Sequence, residues 1–376
     1  WGNGNSGVQG AINLNNSLLG SKSADKIGET GVEVLSNDNY VVSSPRWDNN
    51  NISDAGAVTW GNGATGTFGL VNGTNSLIGN STFDGVGSFG VAALTNGNYV
   101  VRSPRWDNGN IVNVGAVTWG NGTTGIKGVV DSSNSLVGSK NDDGVGRNVS
   151  PLPNGNYVVS SPFWDNGSVV DAGAATWRNG TINTSGFVDV SNSLVGTRKD
   201  DRVSRIGVRT GVGNSNYLVF SPDWHNSLNH KVGAVTWGSG ATGISGEVSD
   251  NNSLVGSTID DAIGIGFATI LNNGNYVVRS PNWDNDVILD AGAVTWGDGN
   301  TGVHGVVSRD NSLVGTLAGD MVGEVTALDD GNYVVRSPLW NNGNIRDAGA
   351  ATWGNGTTGI SGEIDSNNSL VGSTEF

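Results

Sequence analysis

Cysteine is absent from the 376-residue sequence. Disulfides and thiolate metal sites are therefore excluded. Charge is scarce and lopsided, with 19 Lys and Arg against 34 Asp and Glu, for a net −15. A basic stripe able to neutralise phosphates is missing, so nucleic acid is not an expected partner. Anionic membrane surfaces are disfavoured for the same reason. No apolar run approaches the ~20 residues that span a bilayer, so no membrane insertion is expected. The sequence opens on Trp1 with neither an initiator methionine nor a signal peptide, and reads as a segment of something longer. Helical periodicity is missing too, and the 61 glycines would each penalise a helix by about 1 kcal/mol. Catalytic signatures are lacking: there is no G-x-S-x-G and no H-E-x-x-H. His225, His230 and His304 stand at unrelated positions, so no histidine-based constellation is shared between copies, and the chain is not expected to be an enzyme. His225 and His230 share one loop, which leaves a metal pair there as a minor alternative.

What the sequence does have is repetition, the first thing to settle in any reading. The segment Asn98–Trp119 reads NYVVRSPRWDNGNIVNVGAVTW, and variants of it recur six times. Tryptophans of the G-A-V/A-T-W motif fall at Trp60, Trp119, Trp177, Trp237, Trp296 and Trp353, with Trp1 opening an incomplete copy. Those of the S-P-x-W motif are Trp47, Trp106, Trp164, Trp224, Trp283 and Trp340. Together these account for all 13 tryptophans, so the indoles belong to the repeat and not to a single site.

One copy predicts four short strands. Phe89–Leu94 is the first, and Asn96-Gly97 marks a tight hairpin needing positive φ. Tyr99–Ser103 is the second, rich in β-branched residues and ended by Pro104, which cannot donate to a ladder. Asp107-Asn108-Gly109 is turn chemistry. Ala116–Trp119 and Ser135–Gly138 complete the set. The expected fold is all-β, a β-propeller of four-stranded antiparallel blades. Six complete repeats of about 59 residues, at 21–79, 80–138, 139–196, 197–256, 257–315 and 316–372, predict six blades in a single domain over 1–376, with seven as a variant. A β-solenoid is the alternative. Residues 1–20 duplicate only the end of a repeat. They would compete with 353–372 for the last strand, pair with a neighbouring chain, or belong to a truncated preceding blade.

Leu77-Ile78-Gly79, Phe89-Gly90-Val91-Ala92, Tyr99-Val100-Val101 with Ser103-Pro104, and Gly115-Ala116-Val117 resemble the FG-GAP repeat of integrin-alpha-type propellers. The wording is also similar to repeat arrays in haemagglutinin-like bacterial exoproteins. The resemblance implies export, a bacterial cell-surface or extracellular location, and a ligand face built from loops at one end of the blades. The family's D-x-D-x-D-G calcium loop has no counterpart: its place holds Thr95-Asn96-Gly97-Asn98 or Asp329-Asp330-Gly331-Asn332. These carry too few carboxylates for the six to eight oxygens calcium takes.

Two loop sets are expected on one face. One carries Asp25, Asp84, Asp142-Asp143, Asp200-Asp201, Asp260-Asp261 and Asp320; the other carries the S-P-x-W tryptophans. Trp47, Trp106, Trp164, Trp224, Trp283 and Trp340, with Asp48, Asp107, Asp165 and Asp284, are the candidate ligand-binding residues. An indole face stacks on a sugar while carboxylates and amides pair with hydroxyls; the competing reading packs each indole against the next blade. No cofactor is required, though Asp84, Asp107, Asp143, Asp165, Asp261 and Asp284 are candidate calcium ligands across the same loops. The expected function is a non-catalytic adhesion module for glycan or surface protein. The alternatives are a structural spacer and, last, a glycoside hydrolase. The fourth repeat departs, with Trp224-His225 in place of Trp-Asp and extra arginines at 198, 202, 205 and 209.

Overall fold

The computed structural model describes residue 2 and residues 7–374, and among them the secondary structure is β throughout, with no helix. Accordingly, no helix of the described residues is long and apolar enough to cross a membrane. The strands fall in two compact units, Trp1–Asp165 with Thr176–Ser193, and Asn166–Ala175 with Leu194–Phe376.

In the first unit the strands are β1 (Leu18–Leu19), β2 (Gly31–Val34), β3 (Tyr40–Ser44), β4 (Ala57–Gly61), β5 (Gly69–Leu70) and β6 (Ser76–Ile78). The second repeat continues with β7 (Val91–Ala93), β8 (Tyr99–Ser103), β9 (Ala116–Gly120), β10 (Gly128–Val129) and β11 (Ser135–Val137). The four expected strands of this repeat are thus present as β7, β8, β9 and β11. They pair antiparallel, with Val91 opposite Val101 and Val101 opposite Thr118. The Asn96-Gly97 hairpin differs in type. Only Gly97 takes positive φ, at 85°. Leu94 N–H bonds to Asn98 O at 2.8 Å and Gly97 N–H to Leu94 O at 3.1 Å, a longer loop closed by one left-handed glycine rather than a two-residue turn.

The four-stranded blade is corrected by a fifth strand. β10 pairs parallel with β6 of the preceding repeat, Gly128 opposite Leu77 and Val129 opposite Ile78, giving the order β10-β6-β4-β3-β2. In the second unit, Gly305–Val306 joins Ser253–Val255 and Gly362–Glu363 joins Ser312–Val314 in the same way. A two-residue strand is too short to show a period, and its partner lies about 50 residues away, so no local pattern announces it. β1 pairs parallel with β5. Residues of the N-terminal piece thus sit where the last strand of a preceding repeat belongs. Trp1, Asn3 and Gly4 of that piece lie outside the described residues.

Within each unit, neighbouring repeats stack face to face. Alternation along β3 and β8 directs Val41 to one side, and Tyr99 and Val101 to meet it. With Leu35, Val58 and Leu77 they form one buried cluster. In the second unit, Leu218, Val235 and Leu254 meet Tyr276 and Val278 in the equivalent cluster. A polar clamp fixes the joint. Gly122 O receives the indole N–H of Trp60 at 2.9 Å and the amides of Asn37 and Asn39 at 2.9 and 2.8 Å. Gly356 O receives Trp296, Asn273 and Asn275 likewise, at 3.0, 2.8 and 2.8 Å. The Asn-Gly-Asn turns therefore act as ties to the next repeat. Glycine is required at 122, because a Cβ there would stand 1.7 Å from Gly97 O.

Candidate functional site

The aspartates before the first strand of each repeat converge on one arrangement. Asp84 is buried, and its Oδ2 accepts the N–H groups of Asn80 and Ser81 at 2.9 and 2.8 Å. Its Oδ1 accepts the N–H of Asp107, just past the tryptophan, at 3.0 Å. Asp25, Asp143, Asp201, Asp261 and Asp320 repeat the pattern, tying the chain after one strand to the loop after the S-P-x-W motif. Of each Asp-Asp pair the second member is the hub: Asp143 is 0% exposed, whereas Asp142 lies at the surface with φ of 65°. Burial pushes the carboxyls of Asp84, Asp143 and Asp261 above the ordinary aspartate value of 3.8, against the pull of the backbone N–H donors.

The second aspartate closes the tryptophan loop on itself. Oδ1 of Asp48, Asp107 and Asp284 accepts the N–H six residues on, at 2.9, 2.7 and 2.8 Å. This geometry bears on the calcium candidates. Asp84 with Asp107, Asp143 with Asp165, and Asp261 with Asp284 are brought together, but through the backbone N–H of the second residue. Hub oxygens already held by N–H donors do not fit an ion that takes six to eight oxygens. Among the described residues, no group of three or more His, Asp or Glu is placed to hold a metal ion.

The six candidate indoles are placed inside. Trp47, Trp106, Trp164, Trp224, Trp283 and Trp340 are 4, 2, 4, 7, 3 and 4% exposed. A ring of tryptophan faces open to a ligand is thus corrected to six rings packed beneath their own loops. Trp106, for example, belongs to the apolar cluster with Val114 and Val137. All six indole N–H groups are buried with no acceptor among the described residues. An orphaned donor costs about 1–3 kcal/mol, and burying an aromatic ring offsets this.

The fourth repeat breaks the uniformity. His225 stands where the other copies have Asp or Asn, and its Nδ1 lies 2.9 Å from Oδ1 of the fully buried Asp201. That carboxylate fixes the ring orientation and leaves Nε2 for other contacts. A cleft of about 410 Å³ opens beside it, lined by Arg198, Trp224, His225, Asn226, Ser249 and Asp250 among others. Arg198 is braced across the loop by donating to Ser227 O at 2.9 Å. The structure thus pairs His225 with Asp201, a contact that the spacing of His225 and His230 does not announce. A sequence signal existed in the co-occurrence of His225 with the extra arginines of one repeat.

A family model described as "Repeat of unknown function (DUF5650)" matches residues 1–29, 34–88, 93–147, 151–205, 211–265, 270–324 and 327–375. The chain belongs to this repeat family. Seven tandem DUF5650 repeats account for nearly its whole length, each cut through the repeat at a different phase from the tryptophan spacing. No curated protein matches the chain.

Proposed function

We propose that this DUF5650 array is a non-catalytic structural module of a surface or secreted protein. It is a spacer whose repeated residues serve the array itself. One observation carries this reading. The recurring side chains are engaged internally: hub aspartates on backbone N–H groups and loop tryptophans in the apolar layers of every copy, and Trp60, Trp119, Trp237 and Trp296 of the strands on the next repeat's glycine. A multivalent adhesin needs the same residues facing out.

A glycan array run in calcium and again in EDTA tests the proposal. The spacer reading expects no calcium-dependent retention. A glycan held in calcium and released by EDTA would restore the adhesin reading. The fourth-repeat cleft gives binding one observation in its favour, because Arg198 and His225 together suit a carboxylate-bearing sugar. Such a ligand would be retained by the wild type and lost in Arg198→Ser.

A further inference from the structure

The fourth repeat differs from the others in its charges. Residues 197–256 carry 6 Lys and Arg against 5 Asp and Glu, where the rest of the chain carries 13 against 29. Most of these cations are neutralised in place. Arg202 pairs with Asp171 and Asp200, Arg205 with Asp223, and Lys231 with Asp260. Arg198 is half-buried and makes no ion pair among the described residues; its guanidinium donates to Ser227 O at 2.9 Å.

The first repeat shows what Arg198 lacks. Lys22 holds the equivalent position, three residues before its hub aspartate, to which its own N–H bonds. Its ammonium donates to Asn50 O, as Arg198 donates to Ser227 O. Lys22 also pairs with Asp48 at 3.4 Å. In the fourth repeat His225 stands in place of Asp48 and turns to the hub, its Nδ1 2.9 Å from Asp201 Oδ1. The replacement removes the carboxylate that would neutralise Arg198. Both side chains line the cleft of about 410 Å³, a volume in the range of small-ligand sites.

We infer that this cleft binds one uronic-acid unit, a sugar ring with a single carboxylate beside its hydroxyls. The ligand's carboxylate takes the role that Asp48 has in the first repeat, paired with the planar guanidinium of Arg198. With Nδ1–H given to Asp201, Nε2 of the neutral ring is an acceptor, and it takes a sugar hydroxyl. The exposed Asp250 also accepts hydroxyls, and it repels a second negative charge, so a doubly charged phosphate ester is disfavoured. Asn226 and Ser249 supply donors, while Val248 gives the ring an apolar wall. The site is single, because His225 is the one histidine that follows an S-P-x-W motif. The inference deepens the acidic-sugar alternative raised above and leaves the structural role of the other repeats untouched.

Saturation-transfer NMR of the full chain, in EDTA, tests it with the methyl glycosides of glucuronic and galacturonic acid. Saturable binding of a uronoside is expected, with none of methyl glucoside or of the uronoside methyl esters, which lack the charge. Three substitutions borrow residues from other repeats, so melting temperatures stay close to that of the wild type. Arg198→Ser copies Ser81 and abolishes binding. His225→Asn copies Asn341, which donates its amide to the hub Asp320 at 2.7 Å, and weakens binding roughly tenfold, the worth of one hydrogen bond. His225→Asp restores the Asp48 arrangement, sets a carboxylate against Arg198, and abolishes binding. If Arg198→Ser melts lower, the contrast between the two His225 variants decides. Uronoside binding that survives both Arg198→Ser and His225→Asp overturns the inference, as do esters that bind as tightly as the acids. A sialic-acid glycoside bound in place of the uronosides, and lost in Arg198→Ser, overturns the uronate assignment and keeps the acidic-sugar reading. Binding of neither class defeats both, and the spacer reading stands.

Discussion

Asp142 and Asp143 are adjacent and chemically identical, yet the fold gives them opposite duties. Asp143 accepts the N–H groups of Ser139, Lys140 and Asp165 at 2.7, 2.8 and 2.9 Å, with no exposure to solvent. Asp142 is exposed, where it accepts one amide bond from Asn113. Asparagine at 143 can turn its single carbonyl to Ser139 and Lys140, but its NH2 then faces the N–H of Asp165. One backbone donor is left without an acceptor, and a buried amide is left without one of its own. Each such loss costs about 1–3 kcal/mol; removing a buried charge returns part of it. The net expectation is a destabilisation of about 2 kcal/mol. Asp142→Asn keeps an acceptor and suits a positive φ, so its effect stays within about 0.5 kcal/mol, the usual range at the surface. Urea unfolding of the two variants against the wild type reads the difference directly. Equal midpoints for Asp143→Asn and Asp142→Asn would refute the hub as a structural tie.

Gly122→Ala would set a Cβ 1.7 Å from Gly97 O and disturb the carbonyl that receives Trp60, Asn37 and Asn39. A loss of roughly 3 kcal/mol or more in thermal or urea unfolding is expected, in the upper tail of single substitutions. Stability should also depend on pH. The raised carboxyls of Asp84, Asp143 and Asp261 contribute stability that is full below 3.8 and lost as pH rises through their folded values. A protonated hydroxyl oxygen keeps a lone pair for the Asp165 N–H, which an amide nitrogen does not. Asp131, Asp189, Asp330 and Asp365, lowered by hydrogen bonds from their own turns, contribute stability lost below 3.8. These four lie at the surface, where solvent screens them. The melting temperature should therefore rise from neutral pH towards 3.8 and fall below it, with the rise shallower in Asp143→Asn. Calcium should leave the melting temperature unchanged relative to EDTA; a rise of several degrees would place an ion among the hub carboxylates.

Much of the architecture is readable from residue chemistry acting locally. Tyr99–Ser103 is β-branched and ends at Pro104, so its strand and its limit both follow from backbone sterics. The first, third and fourth strands of that repeat come out within a few residues for the same reason. The β10 strand is different in kind, because two residues carry no period and gain their partner from another repeat. The site was legible as a set of recurring types, tryptophan beside aspartate, but not as a direction. A tryptophan in every copy is compatible with a face turned out or in, and only the depth of the layer below Trp106 decides that it turns in. Asp143 and Asp142 are likewise indistinguishable until the chain bends to bring the N–H of Asp165 against one of them. His225 was visible as an oddity, yet its pairing with Asp201 spans 24 positions and depends on the hub geometry.

The central claim is that the hub aspartates and S-P-x-W tryptophans of every copy face inward and build the array. Acrylamide quenching of tryptophan fluorescence, on the folded chain and on the chain in urea, tests it most directly. The account predicts that only a small fraction of the folded chain's emission is readily quenched, and that this fraction shrinks when the exposed Trp353 is replaced by Phe. Quenching of the folded chain close to that of the unfolded chain would contradict it, and would return the six S-P-x-W indoles to the surface as ligand contacts.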